Sequence, residues 1–334
     1  MTDRPIDTPQ PNGMQNLGSA ALQLLANNFA FVGLVLLIIV STLLSPYFLT
    51  TDNIFNVLRQ WSMVGLLSIG MTYVIMSGGI DLSGGAVLAL CAVAGSLLAP
   101  IVGAPAMIAL VLLIGLACGY INGALITWGM VPPFVATLGT MTAARGVALM
   151  LTEGRTIAAS LPPEFVYVFG RGYLGPVPMP VIVTAVVFVL AAIALKYTTF
   201  GRKVALVGDN EVGAHRSGLH VDRIKRGVYA FNGFLAAIAG LLFLGRLGVG
   251  EPTAGMMFEL SAIAAVVIGG TPFTGGIGSV LLTFIGLMVI ALTYNILNLM
   301  SVSPYAQDFA RGVIIIIAVM FSIRRITTSK SRRR

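Results

Sequence analysis

Runs of about twenty apolar residues, separated by short polar or glycine-rich breaks, recur along this chain of 334 residues from Phe29 onward. A window of that length matches the hydrocarbon thickness of a bilayer crossed by an α-helix. It places spans near 29–48, 57–76, 83–101, 106–127 and 131–151, then near 179–196, 228–247, 257–270, 277–299 and 306–323. The runs are continuously apolar, as in Phe31 to Val40 and Val181 to Leu195. Strands of a membrane barrel would instead alternate over about ten residues. The expected fold is all-α: a polytopic membrane helix bundle of about ten transmembrane helices, some broken or short.

An even number of spans returns both termini to one side, and charge says which. Arg324, Arg325, Lys330, Arg332, Arg333 and Arg334 crowd the C-terminal end, while Lys196, Arg202, Lys203, Arg216, Arg223, Lys225 and Arg226 crowd one inter-span segment. Basic clusters beside hydrophobic spans mark the cytosolic face. The organisation that follows is a cytosolic tail over 1–28, a transmembrane domain over 29–324 with a cytosolic segment at about 197–227, and a basic cytosolic tail over 325–334. The first 28 residues are polar and carry Pro5, Pro9 and Pro11, without the basic stretch, short apolar core and cleavage site of a signal peptide. The segment 152–179 falls on the opposite side, where Glu153 and Glu164 balance Arg155 and Arg171.

Composition agrees with a chain solvated by lipid. Apolar residues make up 57% and charged residues 10%, against about 45–50% and 25% in soluble domains, and the mean hydropathy is +0.94. A soluble protein of this length would lack the polar residues to cover its cores. The net charge of +8 is concentrated at span ends, which argues for orientation in a membrane and against nucleic-acid binding.

Catalytic chemistry is scarce. A phosphate-binding loop needs lysine after glycine, whereas the lysines here follow Leu195, Arg202, Ile224 and Ser329. ATP, if used, must be bound by a partner. His215 and His220 lack zinc-protease spacing, no Gly-x-Ser-x-Gly elbow occurs, and Cys91 and Cys118 lie in apolar runs without paired spacing. No catalytic residue, metal site or cofactor is expected. A proton-coupled carrier would need a relay of buried carboxylates or histidines, which the spans barely supply.

The polar features near the spans are therefore the functional candidates. Gly78-Gly79-Ile80-Asp81-Leu82-Ser83-Gly84-Gly85 and Gly269-Gly270-Thr271-Pro272-Phe273-Thr274-Gly275-Gly276 share the form Gly-Gly-x-x-x-Ser/Thr-Gly-Gly, each after a Val-Ile pair. They read either as repeated breaks around a transport pathway or as two tight turns. Arg59, Arg246, Asp308 and Arg311 suit snorkelling at helix ends. Asp81, Arg145 and Glu259 are candidates for lining a pathway, and the two carboxylates, Asp81 in a glycine-rich break and Glu259 at a helix start, can equally cap free backbone N–H groups. Pathway candidates, chosen for polar or stacking capacity within or beside apolar spans, are Asp81, Asn122, Phe134, Thr137, Glu259 and Asn295. Gly115, Gly119 and Gly123 recur every four residues and predict close packing by a neighbouring helix.

The polar, basic segment from Thr199 to Lys225 contains a short helix pattern. Asp209 or Asn210 can cap its start, Glu211 sits in the first turn, Gly213 and Ala214 keep its middle thin, Arg216 follows in the last turn and Gly218 can close it. It reads as a docking element for an ATPase or as a solvated loop with local order.

The chain resembles the permease subunits of ribose-type ATP-binding-cassette importers. The resemblance rests on Ser77-Gly-Gly-Ile-Asp-Leu-Ser83, Val131-Pro-Pro-Phe-Val-Ala-Thr-Leu138 with Arg145-Gly146, Phe200-Gly-Arg202, Gly208-Asp-Asn210, Ser217-Gly-Leu219, Glu259-Leu260 and Ala262-Ile-Ala-Ala-Val-Val-Ile-Gly-Gly-Thr271. It implies a multi-pass protein of the bacterial cytoplasmic membrane, acting as a homodimer with an ABC ATPase subunit beneath and an extracytoplasmic solute-binding protein above. It also implies import of a monosaccharide or related polyol. Permeases for branched-chain amino acids are the nearest competitor, and the Gly-Ile-Asp-Leu-Ser run favours the sugar branch. Departures are Gly84 after Asp-Leu-Ser, Asp209 within a Gly-Gly-Asn run, and Pro272-Phe273 in the second break.

Overall fold

The computed structural model describes residues 29–314 together with positions 316 and 320; the expected tails at 1–28 and 325–334 lie outside the described residues. In chain order the elements are α1 (Phe29–Leu44), α2 (Thr51–Met76), α3 (Gly84–Thr127), α4 (Pro133–Thr152), β1 (Ile157–Ala158), α5 (Pro163–Val166), a π-helical turn (Tyr167–Arg171), β2 (Tyr173–Leu174), β3 (Val177–Pro178), α6 (Met179–Tyr197), α7 (Thr199–Asp209), α8 (Glu211–Arg216), α9 (Val221–Leu247), β4 (Val249–Gly250), α10 (Phe258–Ile268), α11 (Val280–Leu299) and α12 (304–314).

Each expected span overlaps a helix or half of one. Helix α3 serves for two, because Gly103 (φ 75°, ψ 167°) between Pro100 and Pro105 breaks it near its middle. Helices α3, α4, α6, α9 and α11 are long and apolar enough to cross a membrane, and α1 and α10 are shorter apolar helices. Helix α2 is long enough at 26 residues but carries Asp52, Asn53, Asn56, Arg59 and Gln60 in its first turns, whereas every residue from Ser62 to Met76 is buried. That second stretch is largely apolar on all sides, as a helix wrapped in protein should be.

Helix α2, the first half of α3 and α9 form the centre. Leu66, Ile69 and Ile75 pack with Leu88 and Cys91 and with Leu235 and Leu241 in one cluster. Outward-facing Leu36 and Leu43 of α1, Met150 of α4 and Leu190 of α6 are exposed, as lipid contact requires. The glycine stripe has its expected partner. A Cβ on Gly115 would stand 2.4 Å from the carbonyl oxygen of Gly233, and one on Gly119 would stand 2.1 Å from that of Tyr229, so α3 and α9 touch backbone to backbone.

The two glycine-rich breaks end their helices alike. After α2, Gly78 adopts φ +81° and the Gly79 N–H bonds to the Val74 carbonyl at 3.0 Å. After α10, Gly270 adopts φ +92° and the Thr271 N–H bonds to the Val266 carbonyl at 3.2 Å. This left-handed closure matches Gly78 to Gly270, one residue off the sequence alignment, which paired it with Gly269. The downstream geometry then diverges, since α3 starts at Gly84 while α11 starts only at Val280.

Two stretches are more ordered than the sequence suggested. Segment 152–179 holds a β2–β3 hairpin and the short strand β1, paired antiparallel with β4 through Ile157 opposite Gly250. Its buried Phe165 stacks on Phe169 at 4.9 Å. Segment 197–227 is mostly helical, because α7 buries Gly201, Val204 and Val207 and α9 begins at Val221, seven residues before the expected span.

Candidate functional site

Asp81 lies in the break between α2 and α3 at 1% exposure, so its carboxylate is shut off from bulk solvent. The protein supplies donors instead. Oδ1 accepts from the Ser83 N–H at 2.8 Å and the Ser83 hydroxyl at 2.6 Å, and Oδ2 accepts from Asn232 Nδ2 of α9 at 2.8 Å. Asn122 of α3 donates to Ser83 Oγ at 2.8 Å, and Tyr229 of α9 donates to the Ile80 carbonyl at 3.2 Å. A polar junction thus ties the break to both halves of α3 and to α9. Gly70 of α2 makes room for it: a Cβ there would sit 2.0 Å from Asn232 Oδ1.

Asp81 and Asn122 are brought together; the other pathway candidates stand elsewhere. On α4, the Phe134 ring is 54% exposed, whereas Thr137 is buried and bonds its hydroxyl to its own helix at the Pro133 carbonyl, 2.8 Å away. Asn295 of α11 forms a reciprocal amide pair with Asn53 of α2, at 2.7 and 2.9 Å. Glu259 occupies the first turn of α10, where a carboxylate suits the helix dipole, and its side chain lies against Gly85. Ser83, named only as part of the glycine-rich motif, completes the junction together with Asn232 and Tyr229, which the sequence reading did not single out. A lone amide at position 232 inside an apolar run was the available clue.

Arg145 of α4 donates through Nη1 to the carbonyls of Pro252 and Ala254, each at 2.7 Å. It thereby pins the loop from β4 to α10, whose Gly255 backbone abuts Gly85. At the head of that loop Glu251 accepts from the hydroxyl of Thr156 and, at 2.6 Å, from that of Thr253. These hydroxyls, Thr156 first, hold its carboxyl below the usual range. Of the residues read as helix-end anchors, Arg59 reaches the Tyr173 hydroxyl at 3.0 Å, and Arg311 stands 3.4 Å from Asp308 and over the Tyr294 ring.

In the basic segment, Asn210 rather than Asp209 caps α8, its Oδ1 accepting from the Gly213 N–H at 2.8 Å. Glu211 begins the helix and pairs with Lys225 at 2.7 Å, Ala214 is buried beneath it, Arg216 is exposed in its last turn, and Gly218 leaves it at φ +81°. Val212 points outward at 61% exposure. A Cβ on Gly213 would come 3.0 Å from the Asn210 amide carbon, so bulk at that position disturbs the cap before it meets any partner.

A family model described as branched-chain amino acid transport system / permease component matches residues 53–319, four-fifths of the chain. The chain belongs to that permease family. Among its relatives, the ribose import permease protein RbsC of Haemophilus influenzae is 42% identical over 294 residues, covering 87% of this chain and 91% of that protein. RbsC of Bacillus subtilis is 43% identical over 299 residues, with 88% and 92% covered. The D-allose transport system permease protein AlsC of Escherichia coli K12 is 35% identical over 291 residues, with 86% and 89% covered. No solved structure matches the chain.

Proposed function

We propose that this chain is the permease subunit of an ATP-driven importer that carries a ribose-like monosaccharide inward across a bacterial cytoplasmic membrane. Identity of 42–43% to two ribose import permeases, over about nine-tenths of both partners in each comparison, carries this reading. ATP hydrolysis belongs to a separate ATPase subunit, and an extracytoplasmic binding protein delivers the sugar. Two copies of the chain enclose the pathway, and both termini are cytosolic, as the basic clusters at 196–226 and 324–334 support.

Helix α8 is the seat for the ATPase in this reading. It is short, capped by Asn210, and turns the apolar Val212 away from the bundle beside exposed His215 and Arg216. An apolar side chain surrounded by polar groups is the form of an interface anchor. Substituting Val212→Glu leaves the cap and the buried Ala214 face intact and is expected to abolish co-purification of the ATPase.

The pathway would run past Glu259, Phe134 and the Arg145-pinned loop, while Asp81 and Asn122 fix the break behind it and Asn295 and Thr137 support its walls. A second reading, import of a branched-chain amino acid, rests on the description of the matching family model alone, against the sugar permeases among the relatives. Co-expressing the chain with its own ATPase and binding protein, in cells lacking endogenous ribose and leucine uptake, separates the two. Restored uptake of labelled ribose is expected. Restored leucine uptake with no ribose uptake would replace the first reading with the second.

A further inference from the structure

Glycines from two distant parts of the chain, Gly208 and the pair Gly275-Gly276, meet around the carbonyl of Met76. Helix α7 ends at Asp209, and a Cβ on the preceding Gly208 would lie 1.7 Å from the Met76 oxygen at the end of α2 and 2.7 Å from the Gly276 nitrogen. The same Met76 oxygen accepts the Gly276 N–H at 2.9 Å. A Cβ on Gly276 would be 2.9 Å from Asp209 Cα, and one on Gly275 would be 3.0 Å from both the Gly208 and Met76 oxygens. One on Gly278 would press the Met76 side chain at 2.5 Å. Since packed carbons rest at about 3.5–4.0 Å, three backbones touch here with no side chain between them.

The position of this knot gives it a role. On one side α7 continues through Asn210 directly into α8. On another, Met76 precedes Gly78 and the Asp81 junction in the first break. On the third, Gly275, Gly276 and Gly278 belong to the stretch that joins the end of α10 to α11. Side chains can absorb a displacement by changing rotamer, whereas backbones in contact pass it on, which is what a contiguous coupling element requires.

We infer that the knot of Gly208, Gly275 and Gly276 around the Met76 carbonyl, with Gly278 packed on the Met76 side chain, is the transmission contact of the permease. It carries movement of α8 as one rigid body into both glycine-rich breaks. The inference rests on the reading of α8 as the ATPase seat, and it assigns Gly208, Gly276 and Gly278 as positioning residues that touch neither ATPase nor sugar.

Gly278→Ala is the informative variant, because the added methyl meets the flexible Met76 side chain first and the fold can adjust. In liposomes with ATPase and sugar-loaded binding protein, Gly278→Ala is expected to co-purify the ATPase as the native chain does. The number of sugars imported per ATP hydrolysed should fall at least tenfold. Thr271 Oγ1 stands 2.8 Å from the same added Cβ, so adding both Met76→Ala and Thr271→Ala to Gly278→Ala removes the obstructing groups and is expected to recover at least half of the native ratio. A native ratio in Gly278→Ala would overturn the inference and leave the docking of α8 standing. Loss of ATPase binding would overturn it too, by making the knot part of the seat. The native protein supplies an independent check through amide exchange, since the Gly276 N–H must stay protected in both nucleotide-free and ATP-bound complexes. Exchange at the rate of an open amide in either state would show that the knot parts during the cycle and would refute rigid transmission.

Discussion

Replacing Asp81 by alanine and, separately, by asparagine distinguishes a hydrogen-bonding role of the buried junction from one that needs a negative charge. Alanine leaves the Ser83 N–H and Asn232 Nδ2 facing a void, each formerly bonded at 2.8 Å. The Ser83 hydroxyl is a free rotor that keeps its bond from Asn122, and it is left out of the count. Two fixed donors left unpaired in a buried site cost about 1–3 kcal/mol each, so Asp81→Ala is expected to lose roughly 2–6 kcal/mol. Asparagine keeps one carbonyl oxygen for Ser83 and presents an N–H₂ toward Asn232. A single flip of the Asn232 amide then offers its Oδ1 as acceptor, and that oxygen has no partner among the described residues at present. The flip exchanges the Asn232 Nδ2 bond for one to Oδ1 and leaves one amide atom unpaired as before, so the number of bonds is kept and Asp81→Asn should lose about 1 kcal/mol or less. Heating detergent-solubilised protein at one fixed rate and following the monodisperse fraction reads the difference. Asp81→Ala should fall on the order of 10 °C below the native midpoint and Asp81→Asn by no more than about 3 °C. Equal loss in both variants would refute the hydrogen-bond account and make the charge itself the requirement.

Other consequences follow from the packing and the loop. Gly119→Ala puts a methyl 2.1 Å from the Tyr229 oxygen and must part α3 from α9; it should cost about 1–3 kcal/mol. Gly139→Ala, with nothing within 4 Å on α4, should gain up to about 1 kcal/mol from helix propensity, so thermal midpoints should move in opposite directions. Glu251 titrates lower in the folded loop than in an unfolded chain, so its contribution is present above the unfolded value near pH ~4.3 and is lost as pH falls through the folded one. Protease nicking at Gly154–Thr156 should accelerate on acidification in the native chain, and Glu251→Gln should remove that dependence.

The helical spans were legible because lipid imposes a length and a composition that few other constraints can mimic. The gap between the spans expected at 83–101 and 106–127 contains Gly103, where α3 breaks. The windows failed where a helix is polar along its length or in its first turns. The polar first turns of α9, from Val221, and all of α7 carry too few apolar residues to register, although Val204 and Val207 bury one face. Segment 152–179 was read as a loop because its strands are two residues each and take their partners from as far away as β4. At the candidate site, Asp81 stood out as a charge in an apolar context, and the cap of α8 was legible apart from the choice of Asn210 over Asp209. The junction was not, because joining Asp81 to Asn232 spans 151 residues, a contact that only the packing of α2, α3 and α9 specifies.

The most direct measurement is sugar uptake by liposomes of defined composition. Vesicles holding this chain alone should show no labelled ribose entry above empty vesicles. Adding the ATPase, ATP and the ribose-loaded binding protein should produce uptake that stops when ATP is omitted. Rapid ribose entry through the chain alone, indifferent to ATP and binding protein, would contradict the account and place the protein among self-sufficient carriers or channels.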